Sequence, residues 1–157
     1  MYNKILVPLD GSELAECVLE HVRAIATGCR VSEVVLLTIV EQYEEGPAGI
    51  TWGGVVSAEQ VAAAAEKSQA EATDYTIKVA NKLKEEGMAV RALVIQGKAA
   101  DGILDYAQKN QVDLILMSTH GRSGPSRWAF GSIADRVIRH SRIPVLIVPP
   151  KGCRISW

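Results

Sequence analysis

The sequence predicts an α/β domain, an open and mostly parallel sheet with helices packed on both faces. Three observations predict it. Short apolar runs bounded by turn residues recur five times, each the length of a strand buried on both sides. Between them lie stretches with apolar residues at helical spacing. The 157 residues suffice for one domain with a substantial core. Strand and helix in alternation imply right-handed crossovers between parallel neighbours.

The elements follow in order. "KILVPLD" (Lys4–Asp10) is a near-continuous apolar run ending in turn chemistry, a first buried strand. Ser12 is a good N-cap for a helix that carries Leu14, Val18, Leu19, Val22, Ile25 and Ala26 on one stripe. "EVVLLTIV" (Glu33–Val40) is the second strand. The stretch Glu41–Gly54, rich in glycine and acidic residues, has no clear period and reads as a long loop. Ser57 and Gln60 form a capping-box pattern opening a helix that runs to Glu86 and stops at Gly87. Its second half has the clearer stripe (Ala72, Tyr75, Val79, Leu83). Its alanine-rich first half, Ala62 to Ala65, is expected to protrude, bend or lie against a partner.

"AVRALVIQG" (Ala89–Gly97) alternates only partly, which suits a sheet edge. "KAADGILDYAQKN" is a short helix with Ile103, Leu104 and Ala107 facing in. "VDLILMS" (Val112–Ser118) is the fourth strand, and "STHGRSGPSRWAFGS" (Ser118–Ser132) leads from it into a helix capped by Ser132. Pro144 ends that helix, and "VLIVPP" (Val145–Pro150) is the fifth strand. Residues 1–150 form one domain and 151–157 a tail.

The totals exclude several functions. A formal net charge of -1 gives no global pull on nucleic acid or an acidic membrane, so an anion site must be local. Mean hydropathy is +0.10, but no apolar block is long enough to span a bilayer. Met1 leads straight into the first strand without a signal-peptide pattern, so a cytoplasmic setting is expected. Cys17, Cys29 and Cys153 are odd in number and form no C-x-x-C pair. They read as reduced, structural thiols. His21, His120 and His140 form no zinc pattern. His21 and His140 suit helix surfaces or termini, and His120 either lines a ligand or bonds its own loop.

In open parallel sheets, ligands bind beyond the carboxyl ends of the strands, where the strand order reverses. Two strand ends here carry unusual chemistry. Asp10 and Gly11 follow the first strand, and the glycine-rich loop follows the fourth. If those strands are neighbours, the two features converge on one crevice. Gly121, Gly124 and Gly131 free the backbone. The first amides of the helix at Ser132, Ile133 and Ala134 lack helical partners and favour phosphate, and Arg122 and Arg127 add charge. Pro8, Ile39 and Val40 could flank a base. Asp10 could accept from ribose hydroxyls or hold a divalent cation; it suits capping the first turn equally well.

The segments "KILVPLDGSELAE", "VDLILMSTHGRSG" and "GSIADRVIRHSRIPVLIVP" together resemble, over almost the whole chain, the universal stress protein family. The nucleotide-binding branch carries Gly, two residues, Gly, nine residues, then Gly-Ser or Gly-Thr. Gly121 and Gly131-Ser132 match its second part. Ser118 stands where the first glycine belongs, and Ala99 where proline is common. The resemblance implies a parallel sheet in order 3-2-1-4-5, a homodimer, and ATP (or AMP) in the crevice, with magnesium a possible companion at Asp10. It implies Asp10 at the ribose or metal and Val40 at the adenine. Met117, Ser118 and His120 would line the ribose and phosphate side, and Gly121, Arg122, Gly131, Ser132 and Ile133 would hold the phosphates.

Other chemistries lack their motifs. G-x-x-x-x-G-K-[ST] and G-x-G-x-x-G are absent. "GRSGP" fails the hydrolase elbow at Pro125, and "PLDGSE" lacks the paired glycines of adenylating enzymes. No general base or transition-state lysine is evident, so at most slow ATP hydrolysis is expected. The expected function is nucleotide-dependent signalling in stress response. The alternative is a dimeric interaction module that has lost the nucleotide, with Ser118 as its main support. The apolar fifth strand, Val145–Val148, should lie at an edge. It is expected to pair with its own copy across a two-fold axis unless the tail covers it.

Overall fold

The computed structural model describes residues 2–41, 50–51, 54–55, 58–119 and 131–149. Expectations placed on Ser57, His120, Gly121, Arg122, Gly124, Arg127, Cys153, residues 42–49 and the tail 151–157 lie outside the described residues.

The elements run β1 (Lys4–Leu9), α1 (Glu13–Glu16), α2 (Leu19–Cys29), β2 (Glu33–Val40), β3 (Ile50–Thr51), β4 (Gly54–Val55), α3 (Ala58–Glu85), β5 (Val90–Gln96), α4 (Ala99–Lys109), β6 (Leu114–Ser118), α5 (Ser132–His140) and β7 (Val145–Val148). The main sheet is ordered β5-β2-β1-β6-β7, and every pairing in it is parallel. This is the 3-2-1-4-5 order. β1 sits at the centre, with Ile5 opposite Leu114 and Leu6 opposite Ile115. The first and fourth strands of the sequence reading are therefore neighbours.

Because strand side chains alternate, β1, β2 and β6 each feed two cores. Ile5, Val7, Leu36 and Leu116 pack with Val22 of α2 and Val79 and Leu83 of α3. Leu6, Val35, Leu37 and Ile115 pack on the other face with Ile103 of α4 and Val137 of α5. Continuous apolar runs are what such a doubly covered sheet requires. Among the described residues, no helix is long and apolar enough to cross a membrane.

Two expectations need correction. The helix opening at Ser12 is not continuous. Ser12 does cap it, accepting the Ala15 amide at 3.1 Å, but α1 stops at Glu16 and α2 begins at Leu19. Cys17 and Val18 between them keep right-handed helical angles (φ -56, ψ -21 and φ -72, ψ -21). The apolar stripe thus carries on while the hydrogen-bond ladder lapses. Within the span Glu41–Gly54, expected to be irregular, β3 and the start of β4 pair antiparallel, Ile50 with Val55 and Thr51 with Gly54. Strands of two residues are too short to impose a period of two on a sequence.

α3 runs 28 residues, about 42 Å at 1.5 Å per residue, and the chain turns at Gly87 with φ +85, as expected. Ala62 to Ala65 are exposed, and the buried residues begin only at Thr76.

Asp113, just before β6, ties that strand to the start of β1. Its Oδ2 accepts the Asn3 and Lys4 amides at 2.8 and 2.9 Å. The Lys4 amide first, then that of Asn3, hold its carboxyl below the usual range. A depressed carboxylate contributes stability that is complete above about pH 4 and is lost as pH falls through the lower folded value. Asp113→Asn is expected to cost about 1 kcal/mol at pH 6. Urea melts at pH 6 and pH 3 check it, since the gap between variant and wild type should close toward pH 3.

Candidate functional site

The carboxyl ends of β1, β2 and β6 and the amino end of α5 open on one cleft of about 710 Å³. That volume falls within the range of small-molecule sites. Pro8, Asp10, Val40, Met117, Ser118, Gly131, Ser132 and Ile133 all line it. These residues singled out from the sequence, with Ile39 and Ala134, are thus brought together; His120, Gly121, Arg122, Gly124 and Arg127 are outside the described residues. The Ser118 side chain, 7% exposed, lines the hollow without filling it.

The β1 end is built by a short turn. Gly11 takes φ +84, which other residues reach only with strain. Asp10 Oδ1 accepts the Ser12 amide at 3.0 Å and the Ser12 hydroxyl at 2.6 Å. Asp10 does not itself cap α1, whose N-cap is Ser12; it braces that cap residue. That bracing coexists with a carboxylate on the cleft wall.

At the β6 end the chain leaves the sheet through Thr119, whose amide donates to Val148 and whose carbonyl accepts the Gly131 amide at 2.8 Å. That bond ties the start of α5 to the end of β6. Gly131, not Ser132, is the N-cap, with φ -66 and ψ 156 and no side-chain cap; Ser132 is the first helical residue. Glycine there leaves the mouth of the helix clear, whereas a capping side chain would cover it. The first-turn amides have no carbonyl one turn back to bond. Together with the helix dipole they make this the positive pole of the cleft. Asp135 in the same turn is held by Arg139 at 2.9 Å.

The rest of the wall is acidic and apolar. Asp10, Glu41 and Glu71 bring carboxylates, and Leu37, Ile39 and Ile103 bring apolar surface. Sequence reasoning had not placed α3 at the site, yet Ser68, Glu71, Ala72 and Tyr75 line it. Their spacing of three, four and seven puts them on one helix face. Thr38, also in the wall, was missed too, although its signal was visible: it is the one polar residue between Val34 and Val40. Among the described residues no three His, Cys, Asp or Glu side chains cluster to hold a metal.

The family model described as "Universal stress protein family" matches residues 1–149. The chain is 32% identical to universal stress protein MJ0577 of Methanocaldococcus jannaschii, over 97% of this chain and 98% of that one. The solved structure of MJ0577 superposes with a TM-score of 0.83 at 31% identity, over 98% of this chain and 99% of that one. Universal stress protein UspA of Lactobacillus plantarum shares the fold, with a TM-score of 0.79 at 22% identity over 94% and 97% of the two chains. So does an Arabidopsis thaliana universal stress protein family protein with AMP bound, at a TM-score of 0.67 and 15% identity over 96% and 93%.

Proposed function

This chain belongs to the universal stress protein family, and from that premise we propose that it binds ATP, or AMP more weakly, and acts in stress response as a nucleotide-dependent signalling dimer. One observation carries the reading: one cleft joins the mouth of a helix whose N-cap is glycine to an apolar and acidic wall. A phosphate chain fits the first, and a base and ribose fit the second. An AMP-bound protein of the same fold supports the ligand class. Phosphates lie over the Gly131–Ile133 turn, the ribose near Asp10, and the base between Pro8 and Val40. Magnesium would arrive on the phosphates with most of its waters, as that ion usually does; Asp10 is the carboxylate placed to meet it.

The protein works by occupancy, not turnover. Asp10 already takes two hydrogen bonds from Ser12 on one oxygen, which fixes it as part of the β1 turn. The assembly is a homodimer through the outer edge of β7, and the setting is the cytoplasm, in keeping with Cys17 and Cys29 being thiols and not disulfide-bonded.

Calorimetric titration of purified protein with ATP and AMP tests the reading. Saturable binding is expected, tighter for ATP because its longer phosphate chain reaches the α5 mouth. Phosphate release should match that of buffer. No binding near millimolar nucleotide would leave the interaction module instead; steady phosphate release lost in Asp10→Ala would make the protein an ATPase.

A further inference from the structure

One hydrogen-bonded chain in the wall of the cleft has no part in the reading so far. Thr38 is 4% exposed and Thr76 is fully buried, and their hydroxyl oxygens lie 2.7 Å apart. Thr76 has a single proton, which it donates to the Ala72 carbonyl at 2.6 Å. The proton between the two threonines therefore comes from Thr38. The order is fixed: Thr38 O–H to Thr76 Oγ1, then Thr76 O–H to Ala72 O. Both ends of this relay, Thr38 and Ala72, line the cleft.

Its place along α3 matters as much. Toward the C-terminus the helix is anchored by Val79, Ala80 and Leu83, all nearly inaccessible. Toward the N-terminus no described residue before Thr76 is buried. Thr76 is thus the last buried residue of α3 before the stretch that carries Ala72 and Glu71 along the cleft, with Tyr75 beside it half-buried against the core. Thr73 donates to the Gln69 carbonyl at 2.7 Å, the same back-bonding as Thr76 to Ala72. Such bonds tend to bend a helix.

We propose that Thr38 and Thr76 are positioning residues of the nucleotide cleft. Their hydroxyl relay holds the α3 wall against the end of β2 that receives the base, and so governs affinity for the adenosine half of the ligand but not for its phosphates. The inference rests on the nucleotide reading above. Valine is the same shape as threonine without the hydroxyl, so Thr38→Val deletes the donor and keeps the volume; Thr38→Ser keeps the donor.

The test compares ATP with inorganic tripolyphosphate by calorimetry, and amide hydrogen exchange along α3, in wild type, Thr38→Val, Thr38→Ser and Thr76→Val. Loss of one buried hydrogen bond predicts ATP binding weakened about tenfold in the valine variants. Tripolyphosphate should stay within about twofold, serine should restore ATP binding, and exchange should quicken around Ala72 but not around Val79–Leu83. Equal ATP affinity in Thr38→Val, parallel weakening of ATP and tripolyphosphate, or unchanged exchange at Ala72 would overturn the proposal. If wild type takes up no ATP, the nucleotide reading fails first and takes this inference with it. If a valine variant fails to fold, Thr38→Ser must still bind and exchange as wild type does, or the relay is not the cause.

Discussion

Replacing Ser132 with aspartate is expected to weaken ATP binding at least tenfold and to leave the fold as stable as before, or slightly more so. The two effects have opposite signs because one position faces two partners. Ser132 is the first residue of α5, exposed and on the cleft wall. A carboxylate there meets the positive end of its own helix, a gain of about 0.3–1 kcal/mol, or about 1–4 °C for a domain of this size. The same carboxylate faces a bound phosphate. At about 5 Å, repulsion is about 1 kcal/mol per charge in water and about 3 kcal/mol at the effective dielectric of a protein surface. Calorimetry beside a thermal melt reads both quantities. A lost affinity with a lowered melting temperature would mean simple damage. Retained affinity would mean that phosphates do not approach α5. Ser132→Ala removes only the hydroxyl and should stay near wild type.

The second large effect concerns assembly. Ile147→Pro is expected to convert the proposed dimer to a monomer of 16.9 kDa while the domain stays folded. The Pro144 and Val148 carbonyls accept from Ile115 and Thr119, so the even-numbered residues of β7 serve the β6 ladder. In a parallel ladder the odd residues then turn their N–H and C=O groups outward, and Ile147 offers its amide at the open edge. Proline there removes an edge donor without breaking the inner ladder. Leu146→Lys is the companion variant, because Leu146 is 38% exposed and lysine at an edge discourages pairing. Light scattering at several protein concentrations checks both. A dimer that survives both substitutions is built elsewhere.

The parts of this protein that could be read from its residues are those encoded locally. Buried strands announce themselves as unbroken apolar runs, and β1, β2 and β6 are such runs. Ser12 carries its capping chemistry on its own side chain. The lapse between α1 and α2 left no trace because Cys17 and Val18 never leave helical angles; the stripe on which the expectation rested does not change phase. Gly131 displaced Ser132 as the cap because the Thr119 carbonyl takes its amide, a contact across a loop that no local pattern encodes. The α3 wall was hidden for a similar reason. Ala72 and Tyr75 read as core because they share a stripe with Val79 and Leu83. Only the end of the sheet, where β2 stops and α3 carries on, decides that the upper part of that stripe also lines the cleft; Tyr75 packs against the core and borders the cleft at once.

The junction of β1 with β6 also has a consequence for how the protein is made. Ile5 pairs with Leu114, so the cleft does not exist until most of the chain has left the ribosome. Synthesis proceeds from the N-terminus, and β1, β2 and β5 can assemble first with their intervening helices. Until β6 arrives, the innermost strand has a bare flank. Closing so long a segment is slow, and a bare flank invites mispairing with other nascent chains. A ligand that grips both sides of this seam can stabilise only the finished molecule; it cannot guide the early steps.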